Sequence, residues 1–314
     1  TLRGEESVRY DVHLGQLGMR CQECHQTHRH QIAGRSVSAP ASEGRVTCTG
    51  CHGPRPHGIS GALGSHLDDH VRAVSCESCH IPMIARKTAT RMFVDFSKAG
   101  QDRPRQVDEH GRPSYDPQRG EQRWAKDVIP QYRWYDGTRQ VYVVGQEMDP
   151  SATVDLNRPL GERYDPEAKI HPFKVHEAIQ PYDEQTEVLL VPELAGGLWE
   201  HGDWQRALTA GAEALDLEYS GQHGWVRTRM YTGIHHEVVP SGQALGCADC
   251  HEERAVRCQR CHSEASGIDL PEHRNQVYPA VERRMDFEAL GYEDDPALVG
   301  GRFYTTLGRG TPVR

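Results

Sequence analysis

Cysteine usage constrains this chain more than any other feature, because all ten cysteines fall into five copies of the pattern Cys-x-x-Cys-His. The copies begin at Cys21, Cys48, Cys76, Cys247 and Cys258. This pattern is typical of c-type haem attachment, in which the two thiols bond the porphyrin and the histidine binds iron. Structural zinc, thioredoxin-like redox chemistry and disulfide frameworks also use paired cysteines, but none needs a histidine after every pair. The sequence therefore predicts five covalently bound haem c groups.

The pattern assigns a role to fifteen residues. The predicted haem-bonding cysteines are Cys21, Cys24, Cys48, Cys51, Cys76, Cys79, Cys247, Cys250, Cys258 and Cys261. The predicted proximal iron ligands are His25, His52, His80, His251 and His262.

Composition agrees with a chain organised around cofactors. Only 36% of the 314 residues are hydrophobic and the mean hydropathy is -0.72, so a conventional core would be thin. A net charge of -9 argues against nucleic-acid binding, which usually shows a basic domain or stripe. The longest apolar runs, such as 141–144 and 188–191, are far shorter than the roughly 20 residues that cross a bilayer. We therefore expect neither a nucleic-acid partner nor a membrane span.

Histidine supplies candidates for the second axial ligand of each iron. Of 19 histidines, five follow the cysteine pairs and fourteen remain. Those near the haem-dense segments are His13, His28, His30, His57, His66, His70, His235, His236 and His273. The predicted second ligands are His13, His30, His57, His70 and His236. We expect close neighbours of a motif to reach across to an adjacent haem, since the chain cannot easily cap both faces of one ring.

Motif spacing predicts the organisation of the chain. The first three motifs are 27 and 28 residues apart, the fourth follows after 171 residues and the fifth after 11. We expect a three-haem region at 1–96, a haem-free insertion at 97–233, a two-haem region at 234–270 and a C-terminal arm at 271–314. About 20 residues per haem in 21–80 are too few for a separate core under each group, so the haems should pack on one another.

The fold class expected is a mainly α and irregular multihaem cytochrome c fold wrapped around five haems, with a small amount of β-hairpin. The hairpin is predicted at Tyr132–Tyr135 and Gln140–Val144, with its turn at Asp136-Gly137. A helix is predicted from Trp204 to Leu217 with Asp203 as N-cap. The polar stretch Lys98 to Gly120 is predicted to be a surface loop.

Several segments make the chain resemble the C-terminal part of the octahaem tetrathionate reductase family of multihaem cytochromes c. They are Asp11-Val12-His13, 30–35, Asp69-His70, 74–76, His80-Ile81-Pro82, 95–100, 132–135, Pro172-Phe173-Lys174-Val175, and 236–247 with His236, Pro240 and Ala244-Leu245. The resemblance spans roughly residues 11–251. It implies an irregular and helical haem-wrapping fold, a periplasmic location, and His13, His30, His70 and His236 as iron ligands, whereas His57 rests on spacing alone.

The chain departs from that family where activity is concerned. Family members carry eight haems, one of them attached through Cys-x-x-Cys-Lys so that one iron face stays open to a small sulfur or nitrogen compound. No second cysteine of a pair is followed by lysine here. Reductase activity is therefore not carried over from the resemblance.

Three functions remain open. The favoured one is a non-enzymatic electron carrier, with mostly bis-histidine haems, between redox partner proteins. The second is a reductase of small sulfur or nitrogen oxyanions at one open haem. The third is a subunit of a polymeric extracellular cytochrome filament, or a fixed wire in a membrane complex, in which copies of the chain are partners. The chain starts at Thr1 and is interpreted as a trimmed, exported chain of the periplasm or the cell exterior.

Overall fold

A computed structural model describes residues 10–28, 31–32, 46–58, 61–251 and 284–299. In chain order, its α-helices are α1 (Cys21–Cys24), α2 (Cys48–His52), α3 (Gly61–His70), α4 (Cys76–His80), α5 (Trp199–His201), α6 (Trp204–Ala214), α7 (Cys247–Cys250) and α8 (Pro296–Val299). Its strands are β1 (Thr27–His28), β2 (Gln31–Ile32), β3 (Thr90–Asp95), β4 (Gln106–Val107), β5 (Pro113–Asp116), β6 (Gly120–Ala125), β7 (Gln131–Tyr135), β8 (Arg139–Val141), β9 (Val154–Asp155), β10 (Asn157–Pro159), β11 (Lys169–Asp183) and β12 (His223–Gly233).

A mixed eight-stranded sheet dominates the described part of the chain. Its strand order is β4-β5-β6-β3-β11-β12-β9, and β7 also pairs with β11. The long strands β11 and β12 run antiparallel, with Phe173 opposite Gly233 and Asp183 opposite His223. Strand β11 is parallel to β3, and β12 is parallel to β9. The expectation of a mainly α and irregular fold is therefore wrong.

The physical reason lies in how the two kinds of segment bury apolar surface. Each described haem motif forms about one helical turn, which adds little regular structure. The insertion between the motifs instead buries side chains along β11 and β12. Four successive residues of β11, Ile170 to Phe173, are buried, so this part of the strand is covered on both faces. Phe173, Val175 and Tyr231 form one buried cluster between these two strands.

The predicted hairpin is also wrong, although both of its strands exist. Strand β7 pairs with β11, and β8 pairs with β10, so the two strands do not pair with each other. The predicted loop at Lys98 to Gly120 contains β4 and β5, which extend the edge of the sheet. Local turn signals located the strands but could not identify their partners.

Helix α6 confirms its sequence prediction, except that it ends at Ala214. The Asp203 carboxylate accepts a hydrogen bond from the Arg206 N–H at 3.1 Å and caps the first turn. Ala207 and Leu208 are fully buried against the body of the protein.

The described part of the predicted C-terminal arm packs into the protein. Met285, Phe287, Leu290 and Tyr292 join Tyr132, Trp134, Ala168 and Ile170 in one buried cluster. The Trp134 indole N–H donates to the Leu290 carbonyl at 2.8 Å. Residues 284–290 form bends and turns rather than a regular helix. No helix among the described residues is long and apolar enough to cross a membrane.

Candidate haem-binding site

Each described motif forms one helical turn, which brings its two thiols to one side of the turn. Helices α1, α2, α4 and α7 carry the first four motifs. The eight described cysteines are exposed or half-buried, and none of them forms a disulfide with another. The Thr47 hydroxyl accepts a hydrogen bond from the Gly50 N–H at 3.2 Å, and the Asp249 carboxylate accepts one from the Gly246 N–H at 2.7 Å. These caps stabilise turns that are too short to persist alone.

The motifs are neighbours in space as well as in sequence. The side chains of Cys48 and Cys76 are close enough to hydrogen-bond, and this contact lowers the pKa of the Cys76 thiol. Burial raises the pKa of the Cys79 thiol to about 11, with added repulsion from Cys76 and Cys247. The second motif therefore adjoins the third, and the third adjoins the fourth.

Four of the five predicted second ligands face a proximal histidine across a gap of nearly constant width. The pairs are His13 with His52, His25 with His236, His57 with His80, and His70 with His251, with ring centroids 5.9, 5.9, 6.2 and 6.3 Å apart. Two metal–nitrogen bonds of about 2 Å each, plus the distance from each nitrogen to its ring centre, add up to about 6 Å. The residues present thus fit an iron atom between two imidazoles.

None of these pairs joins a second ligand to the motif nearest to it in the sequence. His57 follows the second motif yet faces His80 of the third, and His236 precedes the fourth motif yet faces His25 of the first. The arrangement ties distant parts of the chain together at each pair. His30 and the fifth motif (Cys258, Cys261, His262) lie outside the described residues.

Burial favours the neutral, metal-binding form of several rings. It lowers the pKa of His70, His80 and His236, and nearby histidines add to the effect. Neutral imidazole is the form that donates a lone pair to a metal.

Carboxylates and a carbonyl hold the second nitrogen of three of these rings. His57 Nδ1 lies 3.0 Å from Asp68 Oδ1, and His251 Nδ1 lies 2.7 Å from Asp295 Oδ1. His70 Nδ1 lies 2.9 Å from the His66 carbonyl. Such a partner fixes the tautomer and leaves Nε2 to the metal.

Sequence reasoning missed these positioning carboxylates. Asp68 and Asp295 are almost completely buried. Asp68 lies 11 residues after His57, and Asp295 lies 44 residues after His251. The Asp11 carboxylate accepts hydrogen bonds from the backbone N–H groups of His13, Leu14 and Glu237. In the sequence, the acidic residue directly beside His70 is Asp69, which is exposed, so adjacency to a histidine does not identify the buried carboxylates.

A second histidine cluster lies outside the four pairs. The side chains of Glu77, His171 and His235 bring their ligand atoms within 4.8 Å of one another. Burial alone would raise the pKa of Glu77, but the hydrogen bond from His235 and the charge of His171 outweigh it and lower the pKa to about 2.

Comparison with known proteins agrees with this geometry. A family model described as bacterial cytochrome c matches residues 91–254, just over half of the chain. The crystal structure of an octaheme cytochrome c from Shewanella oneidensis superposes with a TM-score of 0.76 at 34% identity, covering 94% of this chain and 63% of that one. The chain thus spans less than two thirds of that neighbour. A search of curated proteins found no match. Together with the haem-attachment motifs, the family match shows that the chain belongs to the bacterial cytochrome c family and is similar to multihaem octahaem cytochromes.

Proposed function

We propose that the chain binds five haem c groups and carries electrons between redox partner proteins through mostly bis-histidine irons. The four histidine pairs carry this proposal, because each offers an iron both of its axial ligands and leaves no position for a substrate. Bound haem would supply one-electron transfer at its iron. The chain's own residues would set the reduction potential of each haem through the type of iron ligand, burial and nearby charge.

The fifth haem is proposed from the sequence motif alone. Its cysteines are Cys258 and Cys261, its proximal ligand is His262, and His30 is kept among the predicted second ligands. The division at residues 96, 233 and 270 is retained as part of this proposal, although contacts cross it. Strand β3 from the first region lies in the same sheet as β6 and β11, and the described part of the arm packs against the insertion.

The proposed function also implies that the protein is exported from the cytoplasm. Haem is attached to Cys-x-x-Cys-His motifs after export, so we assign the protein to the periplasm or the cell exterior. Its partners are then proteins with exposed redox groups. The net charge of -9 favours partners with a basic docking face.

The test is an electron paramagnetic resonance spectrum of the oxidised holoprotein, recorded with and without nitrite and tetrathionate. We expect five haems per chain by haem assay and intact mass, and low-spin signals that neither compound changes. A high-spin signal in the wild type that shifts on adding either compound would reveal an open iron. It would replace the carrier proposal with a reductase.

A variant pair tests the ligand assignment separately. His13→Ala should convert one haem to high spin, because the partner of His52 is lost. His110→Ala is the control, since His110 has a similar exposure, 25% against 30%, but lies beside Glu109 and far from any motif in the sequence. An unchanged spectrum in His13→Ala would reject this pair without rejecting electron transfer.

A further inference from the structure

Three elements bring Glu77, His171 and His235 together, and we name this group the His–Glu cluster. Glu77 lies in α4, His171 in β11, and His235 two residues after β12. His235 Nδ1 is 3.0 Å from Glu77 Oε1, and His171 Nδ1 is 4.0 Å from Glu77 Oε2. Both rings therefore direct Nδ1 towards the same carboxylate.

The environment of the cluster is enclosed on one side and open on the other. The side chains of His171 and Glu77 are 7% and 14% exposed, whereas His235 is 43% exposed. The ring centroids of the two histidines are 5.1 Å apart. An ion can enter from the side of His235 and meet two ligands that the protein already holds in place.

Gly233 leaves room for both rings. A Cβ at this position would lie 3.2 Å from His235 Nε2 and 3.4 Å from His171 Nε2. A larger residue would press on both rings and on Arg139, whose Nη2 would lie 3.6 Å from the same Cβ. With glycine there, the rings have space to turn by the small amount that closing around an ion requires.

The ligand set matches the preferences of a borderline transition metal. Two imidazole nitrogens and one carboxylate oxygen, with water in the fourth position, form a familiar tetrahedral zinc set. Ligand atoms around such an ion are about 3.3 Å apart, given bonds of about 2.0 to 2.2 Å. The three atoms here all lie within 4.8 Å of one another, so the largest separation has to shrink by about 1.5 Å at most to close the site.

We propose that the His–Glu cluster binds one divalent transition metal ion, for which zinc is the best fit, as a site separate from the haem irons. None of its three residues belongs to the four histidine pairs. The ion would join α4, β11 and the segment that leads into His236. It would therefore cross-link the supports of the first and third haems.

Binding requires His171 to exchange one partner. Its Nδ1 lies 3.1 Å from the Ser75 hydroxyl. Ser75 Oγ is also 3.3 Å from Ser78 Oγ, which already donates to the Ile170 carbonyl and can accept from Ser75. The Ser75 hydroxyl would thus keep Ser78 as a hydrogen-bond partner when His171 Nδ1 turns to the ion.

Charge also favours a cation at this place. Glu77 supplies the one carboxylate of the three ligands, and its two oxygens lie 3.0 and 4.0 Å from the ring nitrogens of His235 and His171. The chain as a whole carries a net charge of -9. A divalent ion with two neutral imidazoles and one carboxylate leaves a net charge of only +1 in the cluster.

The test uses holoprotein treated with a chelator and then titrated with zinc sulfate by calorimetry. We expect one saturable equivalent of zinc per chain. Zinc K-edge X-ray absorption on the loaded protein should show two imidazoles and one or two oxygens as ligands, and the haem iron does not interfere at that edge. An absence of saturable uptake, or a spectrum without two imidazoles, would overturn the proposal.

Variants locate the ion. Glu77→Gln and His235→Gln should each weaken zinc binding by more than about tenfold, since even the loss of an indirect partner costs that much. His201→Gln is the matched control, because His201 Nε2 lies 3.9 Å from the exposed Glu200 carboxylate and should bind zinc only weakly. Haem absorption spectra show whether each variant keeps its haems. Wild-type affinity in Glu77→Gln with intact haems would contradict the site.

Discussion

The residues that hold the second ring nitrogen determine how strongly a ligand histidine donates to iron. Burial alone would raise the pKa of Asp68, but hydrogen bonds from the backbone N–H and ring of His57 outweigh it and lower that pKa. The ionised carboxylate makes the imidazole of His57 a stronger donor. Stronger donation stabilises ferric over ferrous iron.

Asp68→Asn should therefore raise the midpoint potential of the haem that we propose His57 and His80 bind. A tenfold change in relative ligand affinity, typical for loss of such a partner, corresponds to about 59 mV for one electron. Spectroelectrochemical titration of the holoprotein measures it. Asp69→Asn is the control, because its side chain is 64% exposed. Equal potentials in Asp68→Asn and wild type would show that Asp68 does not act through the iron ligand.

Asp183 belongs to the sheet rather than to the haem site, and it is fully buried at the end of β11. Its carboxylate accepts hydrogen bonds from the N–H groups of Gln185, Thr186 and Ser220 and from the Ser220 hydroxyl. Burial alone would raise the pKa of Asp183, but these donors outweigh it and lower the pKa. The folded state thus binds this proton less readily than the unfolded chain.

Asp183→Ala should cost about 3 kcal/mol of unfolding free energy at pH 7, because several donors lose a charged acceptor. The contribution of Asp183 is complete above the unfolded pKa of about 3.9 and declines as pH falls through the lower folded value. The difference in unfolding free energy between the wild type and the variant should therefore become smaller at acidic pH. Denaturant unfolding at several pH values measures it. Asp149→Ala is the control, since Asp149 accepts similar bonds from Ser151 in an exposed turn.

In helix α6, Gly211 lies so close to a neighbouring segment that glycine is better than alanine at this helical position. Glycine inside a helix usually costs about 1 kcal/mol relative to alanine. A Cβ at Gly211, however, would lie 1.8 Å from the Val191 carbonyl oxygen. Backbone cannot yield as a flexible side chain does, so the helix would have to move off its neighbour.

Gly211→Ala should consequently destabilise the protein by about 1 to 3 kcal/mol, the range of overpacked cores. Thermal unfolding followed by far-ultraviolet circular dichroism measures the change. Gly242→Ala, where a Cβ meets nothing within 4 Å, should leave the unfolding temperature unchanged. A more stable Gly211→Ala variant would mean that α6 is not seated against Val191.

The elements also show which parts of the structure could be predicted from sequence. Helix α6 could be, because its cap and its buried face are encoded within a dozen residues. The partner of β7 could not, because its register with β11 joins Tyr135 to Lys169 far along the chain. The sites also differ in whether the sequence can predict them. Haem motifs are local patterns and can be predicted, whereas the cluster of Glu77, His171 and His235 cannot, because it depends on how the sheet brings distant segments together.

For the whole molecule, the central question is whether the sheet and the haem-binding segments fold together. The sheet has its own buried side chains, among them Val94, Phe173 and Val226. Helices α1 and α2 have no buried residues and are four and five residues long. Helices this short are unstable without tertiary support. The haem groups would provide that support by bonding both cysteines of each turn.

A chain with all ten cysteines changed to serine should therefore keep the sheet and lose order around the first two motifs. Hydrogen–deuterium exchange on this variant and on the holoprotein should show similar protection in β11 and β12, because ladder hydrogen bonds open only when the sheet unfolds. Residues 21–28 and 46–58 should exchange quickly in the variant and slowly in the holoprotein. Loss of protection throughout the variant would mean that haem attachment is required for the sheet itself. Full protection around the motifs would mean that the protein chain alone orders the haem-binding segments.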